Sequence, residues 1–441
     1  MHTEAPERLT REALLQLAAT YGAPESRWLV GGEFERAVVH SDGSGVSYDE
    51  PHGIRWILDQ LAARQPGWRP YEEAGHLIAL ERDGGASITL EPGGQVELSG
   101  APHRELSALM EEVQTNRRLL LEIAEGTDLR FLAVGLSPIS PIAELPWMPK
   151  GRYRIMREYL PQYGDLAHYM MKGTASVQAN FDYSDEADCA DKVRLCAGVG
   201  PLTTAMFSNS PLVEGKPTGF LSYRGHVWTR TDPARTGFPP GLRDDYSHER
   251  WIDYLLNVPM MFYKRGKAWV HAEGRTFATF MTDGIDGQYA TLADWALHQT
   301  SVFPEVRVKH TIEVRGADCV SIELAGAFCA LFTGLLYDRS ALDEGLALVD
   351  ALSAHGTREG RFDAACRSGL RGEVGGRALG DFAVELGDIA RRGLQRRRPE
   401  DLPLLEPLLA RLADRRSPAL DQLEAYAKDP SVAGILAACA Y

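Results

Sequence analysis

Apolar and polar positions along the 441-residue chain change their period repeatedly, and each change marks an element. Residues 8–21 put Leu9, Leu14, Leu15 and Leu17 on one face with charges opposite, which predicts a short amphipathic helix. Residues 28–40 predict a strand, with Leu29, Val30, Val38 and Val39 around an acidic pair. Helical spacing returns over 53–64 through Ile54, Ile57, Leu58 and Leu61. Short strands follow over 76–82, 86–91 and 95–99. Gly84-Gly85 and Pro92-Gly93-Gly94 turns separate them, so antiparallel pairing is expected.

A long helix is predicted over 105–125, a strand over 131–136 and a proline-rich loop through 149. Residues 174–181 alternate and predict a half-buried strand, 186–207 a helix, 249–256 a short helix, 268–271 a strand and 292–300 a helix. Alternation resumes over 306–315, and 321–337 reads as a buried helix. From 339 onward the chain is helical and rich in Ala, Leu and Arg, with Pro399 and Pro403 separating helices. No βαβ rhythm and no internal repeat is found. The class is therefore α+β: an antiparallel sheet backed by helices, in a single catalytic domain over 1–441 with a helical C-terminal subregion over 339–441.

Composition removes several functions. A net charge of −14 argues against nucleic acid or an anionic membrane as partner. The basic cluster Arg391-Arg392 and Arg396-Arg397-Arg398 has acidic neighbours and reads as a solvated helix end. The longest apolar stretch, 324–337, is too short to span a bilayer. Six cysteines show no CxxC pair, which suits a reducing compartment. The N-terminus carries Glu4, Glu7 and Glu12 without an apolar core, so neither a signal nor a transit peptide is expected, and the protein is placed in the cytoplasm.

Five glutamates stand where strands are expected. Glu33 and Glu35 lie two apart and share a strand face, Glu91 precedes the Pro-Gly-Gly turn, Glu97 lies between Val96 and Leu98, and Glu313 between Ile312 and Val314. One such carboxylate is ordinary on a half-exposed sheet, but five suggest a shared acidic concavity. Oxygen ligands without Cys or His favour magnesium, which usually arrives with phosphates and so implies a nucleotide. Arg152, Arg224 and Arg315 are candidate anion-binding cations, and Arg315 shares its strand face with Glu313. No Walker A loop, Rossmann fingerprint, HExxH or GxSxG is present.

Longer blocks carry a resemblance. Gly32-Glu33-Phe34-Glu35-Arg36, Leu90-Glu91-Pro92-Gly93-Gly94-Gln95-Val96-Glu97-Leu98-Ser99-Gly100, Met148-Pro149-Lys150-Gly151-Arg152-Tyr153, Ser208-Asn209-Ser210-Pro211 and Glu313-Val314-Arg315-Gly316-Ala317-Asp318 resemble the plant-type glutamate–cysteine ligase family. So do Glu214-Gly215-Lys216-Pro217 and Phe303-Pro304-Glu305-Val306-Arg307. The resemblance implies a glutamine-synthetase-like fold with a curved antiparallel sheet and a funnel-shaped site. It also implies that glutamate's γ-carboxylate is phosphorylated by ATP and then captured by the amine of cysteine, for glutathione or a related thiol.

By the same resemblance Glu33, Glu35, Glu91, Glu97 and Glu313 hold two or three Mg2+ ions around ATP, and Gln178 lies near the metal and nucleotide. Arg152, Arg224, Thr174 and Tyr223 bind glutamate, Arg315 faces the phosphate as a catalytic group with Glu313, and Met261 borders the acceptor. Substrates are small molecules, and the protein is expected as a monomer or homodimer.

Three departures stand out. Phe34-Glu35-Arg36 replaces the family's His-Glu-Lys, Met110 replaces a plant regulatory cysteine, and Met261 replaces an acceptor-side aromatic residue. The last supports an alternative in which the amine acceptor is not cysteine. A non-catalytic relative that binds nucleotide or glutamate is the remaining alternative, and the full set of carboxylates and arginines argues against it.

Overall fold

Alternation of apolar and polar side chains is realised in one antiparallel sheet. The computed structural model describes residues 8–243 and 245–441. Its principal sheet has nine strands: β1 (Val30–His40), β2 (Arg69–Glu73), β3 (His76–Glu81), β4 (Ser87–Leu90), β5 (Val96–Ser99), β6 (Leu129–Leu132), β7 (Ser176–Phe181), β8 (Val306–Val308) and β9 (Ile312–Asp318). Their order is β8-β9-β7-β1-β5-β4-β3-β2, with β6 paired to the far end of β1. One face packs on helices and the other carries the polar residues considered below.

The helix Ile322–Leu336 is the centre of the packing. All of its residues but Glu323 are buried, as an element apolar all round requires. It lies against β7 and the helices Leu379–Arg397 and Leu402–Ala413, and Phe332 meets Phe181 of β7 at a ring distance of 6.2 Å. No helix among the described residues is long and apolar enough to cross a membrane.

Several expectations change. The alternation over 306–315 is a hairpin rather than one strand: β8 and β9 are joined through Lys309, His310 and Thr311. Three connecting residues preserve parity, so Val306, Val308, Ile312 and Val314 read as one continuous alternation. The helix over 186–207 is two, Glu186–Gly198 and Gly200–Met206, because Pro201 begins a new helix where its missing N–H is harmless. β7 is buried on both faces rather than half-buried, since its polar side lies beneath the site. The strand over 131–136 ends at Leu132.

Others were not visible in the pattern. The edge strand β2 is Arg-Pro-Tyr-Glu-Glu, charged and exposed as an edge tends to be. The helices Gly151–Tyr159 and Ala167–Gly173 lie between the proline-rich loop and β7, where the pattern predicts no element. A short hairpin, Glu373–Val374 with Arg377–Ala378, breaks the otherwise helical C-terminal part.

Candidate active site

Strand register gathers the acids. Pairing of β1 with β5 sets Glu35 opposite Glu97 and Glu33 opposite Ser99, and pairing with β7 sets Glu33 opposite Gln178. β9 extends the row, with Glu313 opposite Asn180 of β7 and Arg307 of β8. Directly opposed residues share a face, so these side chains form one polar band across five strands. Glu91 stands at its near end, on a turn that needs its glycines. Gly94 has φ +91°, and a Cβ on Gly93 would come within 2.1 Å of the Lys172 carbonyl oxygen.

The band has two electrostatic halves. Glu313 is 0% exposed and is surrounded by cations. Arg307 forks onto it, Nε donating to Oε2 at 2.9 Å and Nη2 to Oε1 at 2.8 Å. Lys309 Nζ lies 3.1 Å from Oε2, and Arg315 also donates to Oε1. Burial opposes the charge, but Arg307, Lys309 and Arg315 outweigh it and hold the carboxyl well below the usual range.

Glu33, Glu35, Glu91 and Glu97 are instead partly exposed to the cleft. Their hydrogen-bond donors are neutral: Ser176 N (2.6 Å) and Gln178 Nε2 (3.3 Å) to Glu35, Asn180 Nδ2 (3.2 Å) to Glu33, and Ser99 Oγ (2.8 Å) to Glu97. Burial, with Glu91 nearby, pushes Glu35 up to about 7. Burial and then Glu313 raise Glu33. Burial and then Glu33, Glu91 and Glu35 lift Glu97 well above the carboxylate range. Arg224 and Arg315 offset this for Glu35, and Lys309, Arg307 and Arg315 for Glu33, from beyond ion-pair distance and without cancelling it.

That half opens into a cavity of about 100 Å³ lined by Glu35, Glu91, Arg152, Arg224, Arg315 and Thr174. Arg152 comes from the helix Gly151–Tyr159. Arg224 comes from the helix Tyr223–Trp228, capped by Ser222 Oγ accepting from Gly225 N at 3.0 Å. Arg224 Nη2 donates to the Arg315 carbonyl at 3.0 Å. Nε of Arg152 and Nε of Arg224 are buried with no partner in the protein, which leaves donors for a ligand. The remaining wall is uncharged: Met156, Met170, Met171, Trp228, Phe262 and Phe303, with the hydroxyls of Thr300 and Ser301.

Two of the expected residues, Tyr223 and Met261, belong neither to the band nor to this wall. Tyr223 packs against Phe220, His226 and Tyr169, because the helix turns its neighbour Arg224 inward. Met261 is 1% exposed and belongs to the core, and the alternation of an extended segment brings Phe262 to the cavity in its place. Gln178 lies in the band, bonded to Glu35 and Arg315. Glu33 faces a second opening with Gly31, Gly32, Gly100 and Lys309.

Several site residues were missed from the sequence. Trp228 follows Arg224 by four on a helix, a spacing that places both on one face. Arg307 and Lys309 would have followed from the hairpin register. Lys150 Nζ donates to the Leu90 carbonyl at 3.2 Å, and burial, then Arg152, push its ammonium down to about 8.

Among the described residues no three His, Cys, Asp or Glu side chains converge closely enough to hold a metal ion unaided. Magnesium does not need such a cage, since one or two carboxylates with substrate phosphates and waters suffice. The donor chemistry fits: clustered carboxylates hydrogen-bonded by neutral donors, with burial raising the proton affinity of Glu33, Glu35 and Glu97.

The glutamate–cysteine ligase family 2 profile matches residues 29–433. A chloroplastic glutamate–cysteine ligase B from Oryza sativa subsp. japonica is 37% identical over 95% of this chain and 84% of its own length. A chloroplastic glutamate–cysteine ligase from Nicotiana tabacum is 37% identical over 96% and 81%. Among solved structures, a glutamate–cysteine ligase from Francisella tularensis in complex with AMP superposes with a TM-score of 0.57 at 14% identity, covering 93% of this chain and 87% of that one. At that identity the likeness shows a shared fold. The cytoplasmic expectation is contradicted by these curated relatives, which are chloroplastic.

Proposed function

The chain belongs to glutamate–cysteine ligase family 2, and from that premise we propose that it joins the γ-carboxylate of L-glutamate to the amine of L-cysteine, driven by ATP. The carboxylate attacks the γ-phosphorus and ADP leaves. The amine then attacks the acyl carbon of γ-glutamyl phosphate, phosphate leaves, and the nitrogen loses a proton. What supports this reading most is one juxtaposition: Glu35 and Glu91, not held in ion pairs, beside three arginines on a single cavity.

Arg152 and Arg224, with their free Nε donors, take the carboxylates of glutamate. Arg315 is fixed by Glu313 and Gln178 before substrate arrives, so it meets developing phosphoryl charge without reorganising. The methionine and aromatic wall keeps water from the acyl phosphate. ATP enters from the opening at Glu33, where Gly31, Gly32 and Gly100 leave room for close approach and Lys309 supplies charge.

In this reading Glu33, Glu35, Glu91 and Glu97 would hold magnesium, which would supply positive charge to offset that of the phosphates. Glu313, first expected among the ligands, is assigned instead to holding Arg307, Lys309 and Arg315. The case for a non-cysteine acceptor loses its ground, because Met261 lies off the cavity and Phe262 supplies an aromatic ring there. ADP release that requires magnesium, glutamate and cysteine together, with γ-glutamylcysteine identified by mass, is the expected result. ADP release indifferent to glutamate would sink the proposal.

A further inference from the structure

Arg235 is 0% exposed and absent from the cavity wall, yet its guanidinium reaches several of the segments that form it. Nη1 donates to the Ser301 carbonyl at 3.1 Å, and Nη2 donates to the Pro259 carbonyl at 2.7 Å and to the Tyr159 hydroxyl at 3.3 Å. Ser301 is itself a wall residue, Pro259 leads into Phe262, and Tyr159 ends the helix that carries Met156. The backbone adds a further tie, Phe303 N donating to the Arg235 carbonyl at 2.7 Å. Nε donates to Asp232 at 2.6 Å, so the buried charge is neutralised on the spot.

Most of what Arg235 ties together at the cavity is uncharged: Ser301, Phe303, Phe262 and Met156, with Arg152 about two turns further along the helix that Tyr159 ends. The rest of the charged wall is anchored by other contacts. Arg315 is held by Glu313, and Arg224 by the Arg315 carbonyl and by Ser210 Oγ, which accepts from the Arg224 backbone N at 3.0 Å. We infer that Arg235 is a positioning residue that fixes the uncharged side of the cavity, and with it the affinity for the amine acceptor. This rests on the ligase reading, in which arginines take glutamate and phosphate and the uncharged wall is left for cysteine. A lysine at 235 cannot reproduce the role, because a point charge lacks the planar fork that serves four acceptors at once.

The test is steady-state kinetics of R235K for cysteine, glutamate and ATP, with thermal unfolding as a control. A rise of about ten-fold in the cysteine KM is expected, with the ATP KM changed less than about two-fold. An unchanged cysteine KM, or an equal rise for all three substrates, overturns the role. Y159F removes one acceptor with little change of shape, and a rise of about two-fold confined to cysteine is expected there. If R235K does not fold, Y159F decides alone, and an unchanged cysteine KM in it overturns the role. Failure of the unaltered protein to release ADP in a cysteine-dependent way overturns the ligase reading instead.

Discussion

Glu313 and Glu35 are the same residue type on one face of one sheet, and their situations are opposite. Glu313 is sealed and shared by Arg307, Lys309 and Arg315. Glu35 opens to the cleft, has only neutral donors, and is held up to about 7 by burial and Glu91. Partners decide what a carboxylate on this sheet does. Where the fold supplies cations, the acid serves as structure and fixes Arg315, the arginine proposed to meet phosphate. Where no cation comes within ion-pair distance, burial destabilises the charged acid, which in the proposed reading leaves it available to a cation that arrives with substrate.

The strongest way to break this contrast is to neutralise each acid in turn. E35Q should lose about 10²–10³-fold in ADP release while the ligand-free protein melts no lower than before, because a repulsion has been removed. E313Q should also lose activity, but with a stability loss of about 3–5 kcal/mol, since it leaves buried cations unpaired. Equal melting losses in both variants would remove the distinction. Next in size, R152K should raise the glutamate KM by about ten-fold or more through loss of the guanidinium fork. An effect on the ATP KM alone would place Arg152 elsewhere.

A pH series sharpens the same contrast. The folded Glu35 pKa of about 7 lies above its ordinary value of 4.5. The folded state therefore binds more protons than the unfolded state between those values, and ligand-free stability should fall as pH rises from about 4.5 through 7. Thermal unfolding should show that slope, and E35Q should flatten it. A slope identical in E35Q would assign it to other groups. The smallest effect is expected from oxidation. All six cysteines are buried and unbridged. Activity before and after mild oxidant should differ by less than about two-fold, and a large reversible loss would contradict this.

Much of the charged half of the site was legible beforehand. Spacing by two fixes Glu33 and Glu35 to one face, and the Pro-Gly-Gly turn brings Glu91 and Glu97 back beside them. What was not legible is partnership across strands. The cations on Glu313 come from β8 and its turn, and parity-preserving connection hid that hairpin within one alternation. The uncharged wall was also hidden. Met156, Met170 and Met171 sit in helices whose apolar positions serve the cavity as well as the core, so the helical period is weak there. Tyr223 and Met261 were each one residue from the side chain that reaches the cavity.

The most direct test of the cation-poor cluster is to titrate manganous ion into the protein with a non-hydrolysable ATP analogue and follow free ion by electron paramagnetic resonance. The unaltered protein should take up manganese in a nucleotide-dependent way, and E35Q and E97Q should each bind it at least about ten-fold more weakly. Undiminished uptake in both variants would contradict the assignment of this half of the band to metal.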